Sequence, residues 1–310
     1  MSNLRVYSMM ILTALFWSGA FITGKFAVRE FPPFALTFFR FLFALPFIFT
    51  ILYYRRQERW LPKRDEWLPL LLLGFAGTFL YHSLFFACLQ YTTAINSSLI
   101  GSTNPMVTAL LAAIFLGDKI NRVRLAGFLL SFFGVFLVIT GGDWQVIQHL
   151  SINTGDILMF GAVWSWAGYS ILSRKVMQRY DLSPLMITAY TFLVCTVVAI
   201  PFVIWEQPMT YLPDTTLGGW LAVGYMAVFA SVIGYLFQLI AIQEIGASRS
   251  AIFINLVPVF TIGQAWYFLH EPVTVVKIAS AIIIISGVYL AVRPADANRD
   301  QRQAPHHHLE

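Results

Sequence analysis

The chain has 310 residues, of which 58% are hydrophobic, 16% aromatic and only 11% charged, with a net charge of +5. Soluble domains carry about 25% charged residues, and a fold of this length has no core large enough to hide 28 Phe, 13 Tyr and 9 Trp. These numbers exclude a soluble catalytic domain, a nucleic-acid module or a long disordered arm. The positive charge is therefore informative through its placement and not as affinity for DNA.

In chain order, apolar runs bounded by charges, Pro or Gly fall at residues 6–28, 34–54, 67–89, 93–116, 123–141, 154–173, 184–205, 217–242, 246–269 and 273–292. A helix of about 20 apolar residues crosses ~30 Å of hydrocarbon, so the reading is an all-α integral membrane protein of ten transmembrane helices. The first run is too long for a signal-peptide core and lacks a small-residue cleavage site, and is expected to be a retained span. Cys88 and Cys195 lie inside apolar runs and are expected to be buried small hydrophobes. Residues 293–310 read as a polar tail whose ending, His306-His307-His308-Leu309-Glu310, is an appended scar outside the fold.

With the N-terminus cytoplasmic, sixteen of the 20 Lys and Arg residues fall in or beside cytoplasmic connections, including Arg55, Arg56, Arg59, Lys63, Arg64, Lys119, Arg122, Arg124 and Arg249. The connections 141–153 and 206–216 hold none. Basic loops resist translocation, so both termini are expected on the cytoplasmic side.

Shifting the chain by 153 residues pairs Gln90 with Gln243, Ala94 with Ala247, Ser97 with Ser250, Pro105 with Pro258, Thr108 with Thr261 and Gly134-Val135 with Gly287-Val288. Thirteen of 50 positions are identical over 90–139 against 243–292. Trp17-Ser18-Gly19 is echoed by Trp166-Ala167-Gly168. The repeats are 6–141 and 154–292. Each holds five spans, an odd number, so the halves are expected in opposite orientations. Inverted repeats point to alternating-access transport with a site at the repeat interface.

The stretch from Ala94 through Asn104-Pro105 to Phe115-Leu116-Gly117-Asp118-Lys119 resembles the EamA-type repeat of the drug/metabolite transporter superfamily. So does its second copy, through Gly246-Ala247, Pro258-Val259-Phe260 and Phe268-Leu269-His270-Glu271-Pro272. Asp118, His270 and Pro272 depart from the family's Gly-Glu-basic ending. The resemblance implies a ten-span exporter of the bacterial inner membrane, like the aromatic amino-acid and threonine/homoserine exporters. It also implies that the fifth and tenth spans pack outside a central pathway.

Candidate substrate contacts follow from polar or aromatic residues within spans. His82 and Tyr235 are repeat-equivalent; Tyr81 neighbours the first, and Gln238 lies one turn from the second. An ionisable group at that depth is a site hypothesis, because leaving it in lipid is costly. Trp17, Trp164 and Trp166 lie deeper than the interfacial belt, while Asn104 and Asn255 need partners there. Pro105 and Pro258 are expected mid-helix, each removing a backbone hydrogen bond and kinking its span as a hinge or cavity wall. Lys25 and Arg40 sit towards the outer ends of their spans, where they are expected to snorkel, pair or gate.

All 15 acidic residues fall in loops, tails or terminal turns, leaving His82 as the one obvious titrating group for ion coupling. No Gly-x-Ser-x-Gly, no His-Glu-x-x-His and no intramembrane aspartate pair occurs, so the chain is not read as an enzyme and no cofactor or metal is expected. The expected function is efflux of small amino-acid-like metabolites across the bilayer, uncoupled or by exchange, with no nucleic-acid partner and the oligomeric state left open. A channel-like or receptor-like protein without turnover is the alternative.

Overall fold

The computed structural model describes residues 3–55, 59, 61–116, 121–143, 152–180, 182–245 and 253–292. The motif residues Gly117-Asp118-Lys119 and Gly246-Ala247, the basic residues Arg56 and Arg249, and the tail 293–310 lie outside them. The described residues contain helices and turns and no strand.

The helices run α1 (Asn3–Ala27), α2 (Pro33–Tyr54), α3 (Arg64–Tyr91), α4 (Ala94–Gly101), α5 (Asn104–Leu116), α6 (Arg122–Thr140), α7 (Thr154–Tyr180), α8 (Pro184–Trp205), α9 (217–245), α10 (Leu256–Phe268) and α11 (Val275–Val292). Seven helical stretches are long and apolar enough to cross a membrane; α10 and most of α11 are apolar but shorter. Their boundaries follow local chemistry. Pro33 and Pro184 occupy first turns, where no N–H is needed. Thr93, Asn121, Ser183 and Thr216 cap α4, α6, α8 and α9 by accepting from the N–H of Asn96, Arg124, Met186 and Gly219. Gly141, in the left-handed region at φ 62°, ends α6.

Two irregularities recur at the 153-residue spacing. Gly74–Leu80 in α3 and Met226–Ile233 in α9 are π-helical. Ser102 and Thr103 separate α4 from α5, and a turn at Asn255 separates the helical Phe253 and Ile254 from α10. The kinks expected at Pro105 and Pro258 are thus complete breaks. Both prolines sit in the first turn of a new helix, where the missing N–H costs little.

At one end of the bundle, carboxylates lie across helix N-termini. Glu206 accepts from the N–H of Phe34 and Ala35 at 3.0 and 2.7 Å, and Glu271 from those of Ala94 and Ile95 at 2.7 and 3.1 Å. Glu30 accepts from the N–H and Oγ1 of Thr216, both at 2.8 Å. Burial raises the Glu206 carboxyl from its ordinary value against the pull of its two N–H donors. Burial, with the Glu206 charge added, pushes the Tyr211 hydroxyl up to about 12.

α1 packs against α9 and α10, α2 against α8, α3 against α7, and α6 chiefly against α11. The last pair approaches closely: a Cβ on Gly287 would sit 2.5 Å from the Ser131 nitrogen and 2.8 Å from the Gly127 carbonyl. Small residues permit such contact where lipid offers no hydrophobic driving force. Gly287→Val should cost ~1–3 kcal/mol by overpacking, lowering the thermal unfolding midpoint in detergent. Ile282→Val, at a side chain 62% exposed, should leave it unchanged.

Candidate functional site

Between these helices lies a cavity of about 450 Å³, walled by α1, α2, α3, α4, α5, α7 and α9 and by residues flanking the Asn255 turn. Its lining extends to Ala112, Ser170, Gln238 and Ile254, towards the end of the bundle opposite the carboxylate caps, and among the described residues none of α6 or α11 contributes. Those two helices are nevertheless not purely apolar, since each buries a serine, Ser131 and Ser280.

Aromatic side chains form a closed circuit at one side of the cavity, with Tyr81, His82, Trp166 and Tyr235 facing it and Phe41 and Phe192 packed behind. Tyr235 meets Trp166 at a ring-centroid distance of 6.2 Å, Trp166 meets Tyr81 at 5.0 Å, and Tyr81 meets His82 at 4.7 Å. His82 meets Phe41 at 4.7 Å, Phe41 meets Phe192 at 4.7 Å, and Phe192 returns to Tyr235 at 5.5 Å. Several of these pairs are edge-to-face, the arrangement the ring quadrupole favours. Trp17 leans on Tyr235 from outside the circuit at 6.0 Å.

The π-helical stretches help place these rings. A π turn misaligns the i→i−4 ladder and leaves carbonyls for other donors. Trp17 Nε1 donates to the Ala230 carbonyl at 2.9 Å, and Ser165 Oγ donates to the Ala76 carbonyl at 2.5 Å. His82 Nδ1 lies 2.7 Å from the Thr78 carbonyl, also in a π stretch. Gly234 makes room for Trp17, since a Cβ there would lie 2.6 Å from the indole nitrogen.

Of the residues singled out from sequence, Trp17, Arg40, Tyr81, His82, Asn104, Pro105, Trp166, Tyr235 and Gln238 line the cavity. Trp164 does not: its side chain is 37% exposed and meets the Phe160 ring. Asn255 is buried in its turn without lining the cavity, and Pro258 lies buried in the next helical turn. Lys25 neither snorkels nor faces the cavity. Its Nζ donates to the carbonyls of Leu89 and Thr92 at 2.5 and 2.6 Å, satisfying the C-terminal end of α3. Arg40 is 4% exposed and lines the cavity, donating from Nε to Ser231 Oγ at 2.9 Å. Sequence reasoning missed Ser98, Ser102, Thr108 and Ser170 in the lining; short hydroxyl side chains in helices carry no distinguishing spacing.

Broken helices beside a cavity of aromatic and polar side chains, inside an apolar helical bundle, are the arrangement of a membrane transporter for small molecules. The chain belongs to the EamA-like transporter family, whose pattern matches twice, at residues 4–140 and 153–293. It is 34% identical over 291 residues to an uncharacterized transporter, YyaM, of Bacillus subtilis, with 94% of each chain covered. It is equally 34% identical to an uncharacterized transporter of Archaeoglobus fulgidus, covering 93% of this chain and 97% of that one. A probable amino-acid metabolite efflux pump of Escherichia coli is 26% identical, with 91% and 93% covered. A crystal structure of a protein 17% identical superimposes with a TM-score of 0.64 over 98% of this chain, a likeness of fold.

Gly234→Ala should displace the Trp17 indole from the Ala230 carbonyl, costing ~1–3 kcal/mol and shifting tryptophan emission. In a Trp17→Phe background the same change should cost distinctly less, a coupling that a double-mutant cycle of unfolding midpoints measures.

Proposed function

We propose that the chain is a ten-span carrier that moves small amino-acid-like metabolites outward by alternating access. In this reading α4 with α5, and the helical turn at Phe253 with α10, are single crossings broken in the middle. The repeats 6–141 and 154–292 are inverted five-helix units, and both termini face the cytoplasm of the inner membrane. Residues 293–310 form a cytoplasmic tail.

One observation carries the proposal. The cavity is built jointly by the two family-matched segments, with Trp17, Arg40, Tyr81, His82 and Asn104 from the first and Trp166, Tyr235 and Gln238 from the second. It extends towards one end of the bundle while the carboxylate caps tie the other. The recurrence of the π stretches and helix breaks at one spacing supports the repeat. By the basic-loop rule the capped end is the outer one, which makes this conformation inward-facing. Substrate contacts are assigned to the lining residues; Pro105 and Pro258, beside the two breaks, are assigned as hinges, and Lys25 to the closed outer end. The name of the Escherichia coli relative supports the substrate class.

Purified protein in proteoliposomes should give saturable, trans-stimulated flux of some member of an amino-acid panel; linear flux would instead indicate a channel. Cysteines replacing Glu30 and Thr216, joined by a short thiol cross-linker, should abolish that flux, with native Cys88 and Cys195 protected by burial. Undiminished flux through fully cross-linked protein would sink the alternating-access reading.

A further inference from the structure

Arg40 is a cation buried without an anion. Its guanidinium stays ionised at any working pH, yet among the described residues no carboxylate lies within 4.0 Å of it. The hydrogen bond to Ser231 occupies Nε. Among the described residues Nη1 and Nη2 have no acceptor, on a side chain that lines the cavity. The rings of Phe41 and Phe86 lie 5.4 and 5.9 Å from the guanidinium carbon. Contacts of that kind offset only part of what burying an uncompensated charge costs. The balance calls for an anion, and the cavity is the space open to one.

The surroundings narrow its chemistry. Lys25 is engaged by two backbone carbonyls and is absent from the lining, so Arg40 is the one Lys or Arg among the described lining residues. A single guanidinium edge matches one carboxylate through two parallel N–H···O bonds, whereas a phosphate monoester would bring about two negative charges to one positive. The circuit of Tyr81, His82, Trp166 and Tyr235 offers flat apolar surface to the rest of the molecule. No Asp or Glu among the described lining residues faces a substrate ammonium.

We propose that Arg40 is the anion-binding residue of this cavity and that its substrates are monocarboxylates with an apolar or aromatic body, recognised by the carboxylate and not by an amino group. The assignment rests on the transporter reading above and specifies which charge the site selects.

Equilibrium binding to the purified full chain, followed by quenching of Trp17 and Trp166 emission, tests this without requiring transport. The probes share one phenyl body: 3-phenylpropanoate, phenylalanine, phenethylamine and 3-phenylpropanamide. Both carboxylates should bind with dissociation constants within several-fold of each other, and the amine and the amide at least tenfold more weakly. Arg40→Gln should weaken carboxylate binding at least tenfold, with Arg40→Lys intermediate and the unfolding midpoint retained. Amine or amide binding as tight as the carboxylates, no carboxylate binding at all, or a folded Arg40→Gln protein with unchanged affinity would overturn the assignment; the first two need no variant. The two readings fail separately. Arg40-dependent carboxylate binding without flux in proteoliposomes would remove the carrier and keep the anion site. Saturable flux of amines or neutral solutes undiminished in Arg40→Gln would do the reverse.

Discussion

Carboxylates laid across the bare N-termini of helices from the other half of the chain organise this bundle. The first N–H groups of a helix have no partner of their own, and in a membrane an unsatisfied backbone group costs several kcal/mol. A carboxylate meets that demand with charge-assisted bonds and a favourable helix dipole, about 0.3–2 kcal/mol for the dipole alone. Glu206 serves α2, Glu271 serves α4 and Glu30 serves Thr216. Each bond joins one family-matched segment to the other. These ties hold one end together, and the space left between the segments lies beyond them.

The interior follows a second exchange between the segments. The π stretch of α3 gives its Ala76 carbonyl to Ser165 of α7, and the π stretch of α9 gives its Ala230 carbonyl to Trp17 of α1. Backbone groups released by irregular helix geometry thus become attachment points for the first helix of the opposite segment. The same irregular turns precede Tyr81, His82 and Tyr235, whose rings form the cavity wall.

Much of this was legible in the sequence, and the gaps have physical causes. The 153-residue offset pairs His82 with Tyr235, two members of the aromatic circuit. Pro105 and Pro258 marked the irregular helices, but a proline reads as a kink or as the first turn of a fresh helix depending on the residues before it. Here Ser102 and Thr103 turn their hydroxyls onto the carbonyls of Leu99 and Ile100 and end α4. Trp164 and Trp166 could not share a face, because two residues along a helix rotate by about 200°; spacing alone does not say which one faces inward. Lys25 and Arg40 looked alike in depth and charge. Only packing separates a lysine that reaches two carbonyls from an arginine that reaches none.

The π stretches also give chain length itself a meaning. A π turn holds about one residue more than the α turn it replaces, and each residue of α-helix is worth about 100° of rotation. Were residues 74–80 to relax to an α-helix with their number kept, the surplus residue would swing everything after it around the axis. Tyr81 and His82 would be carried off the wall they share with Trp166 and away from the Phe41 ring behind it, although neither residue had changed. In this part of the chain the number of residues and the type of helix together set where the following rings point. A single deletion between Gly74 and Leu80 would let an ordinary α turn keep Tyr81 and His82 in register, while the Ala76 and Thr78 carbonyls returned to the helix's own ladder.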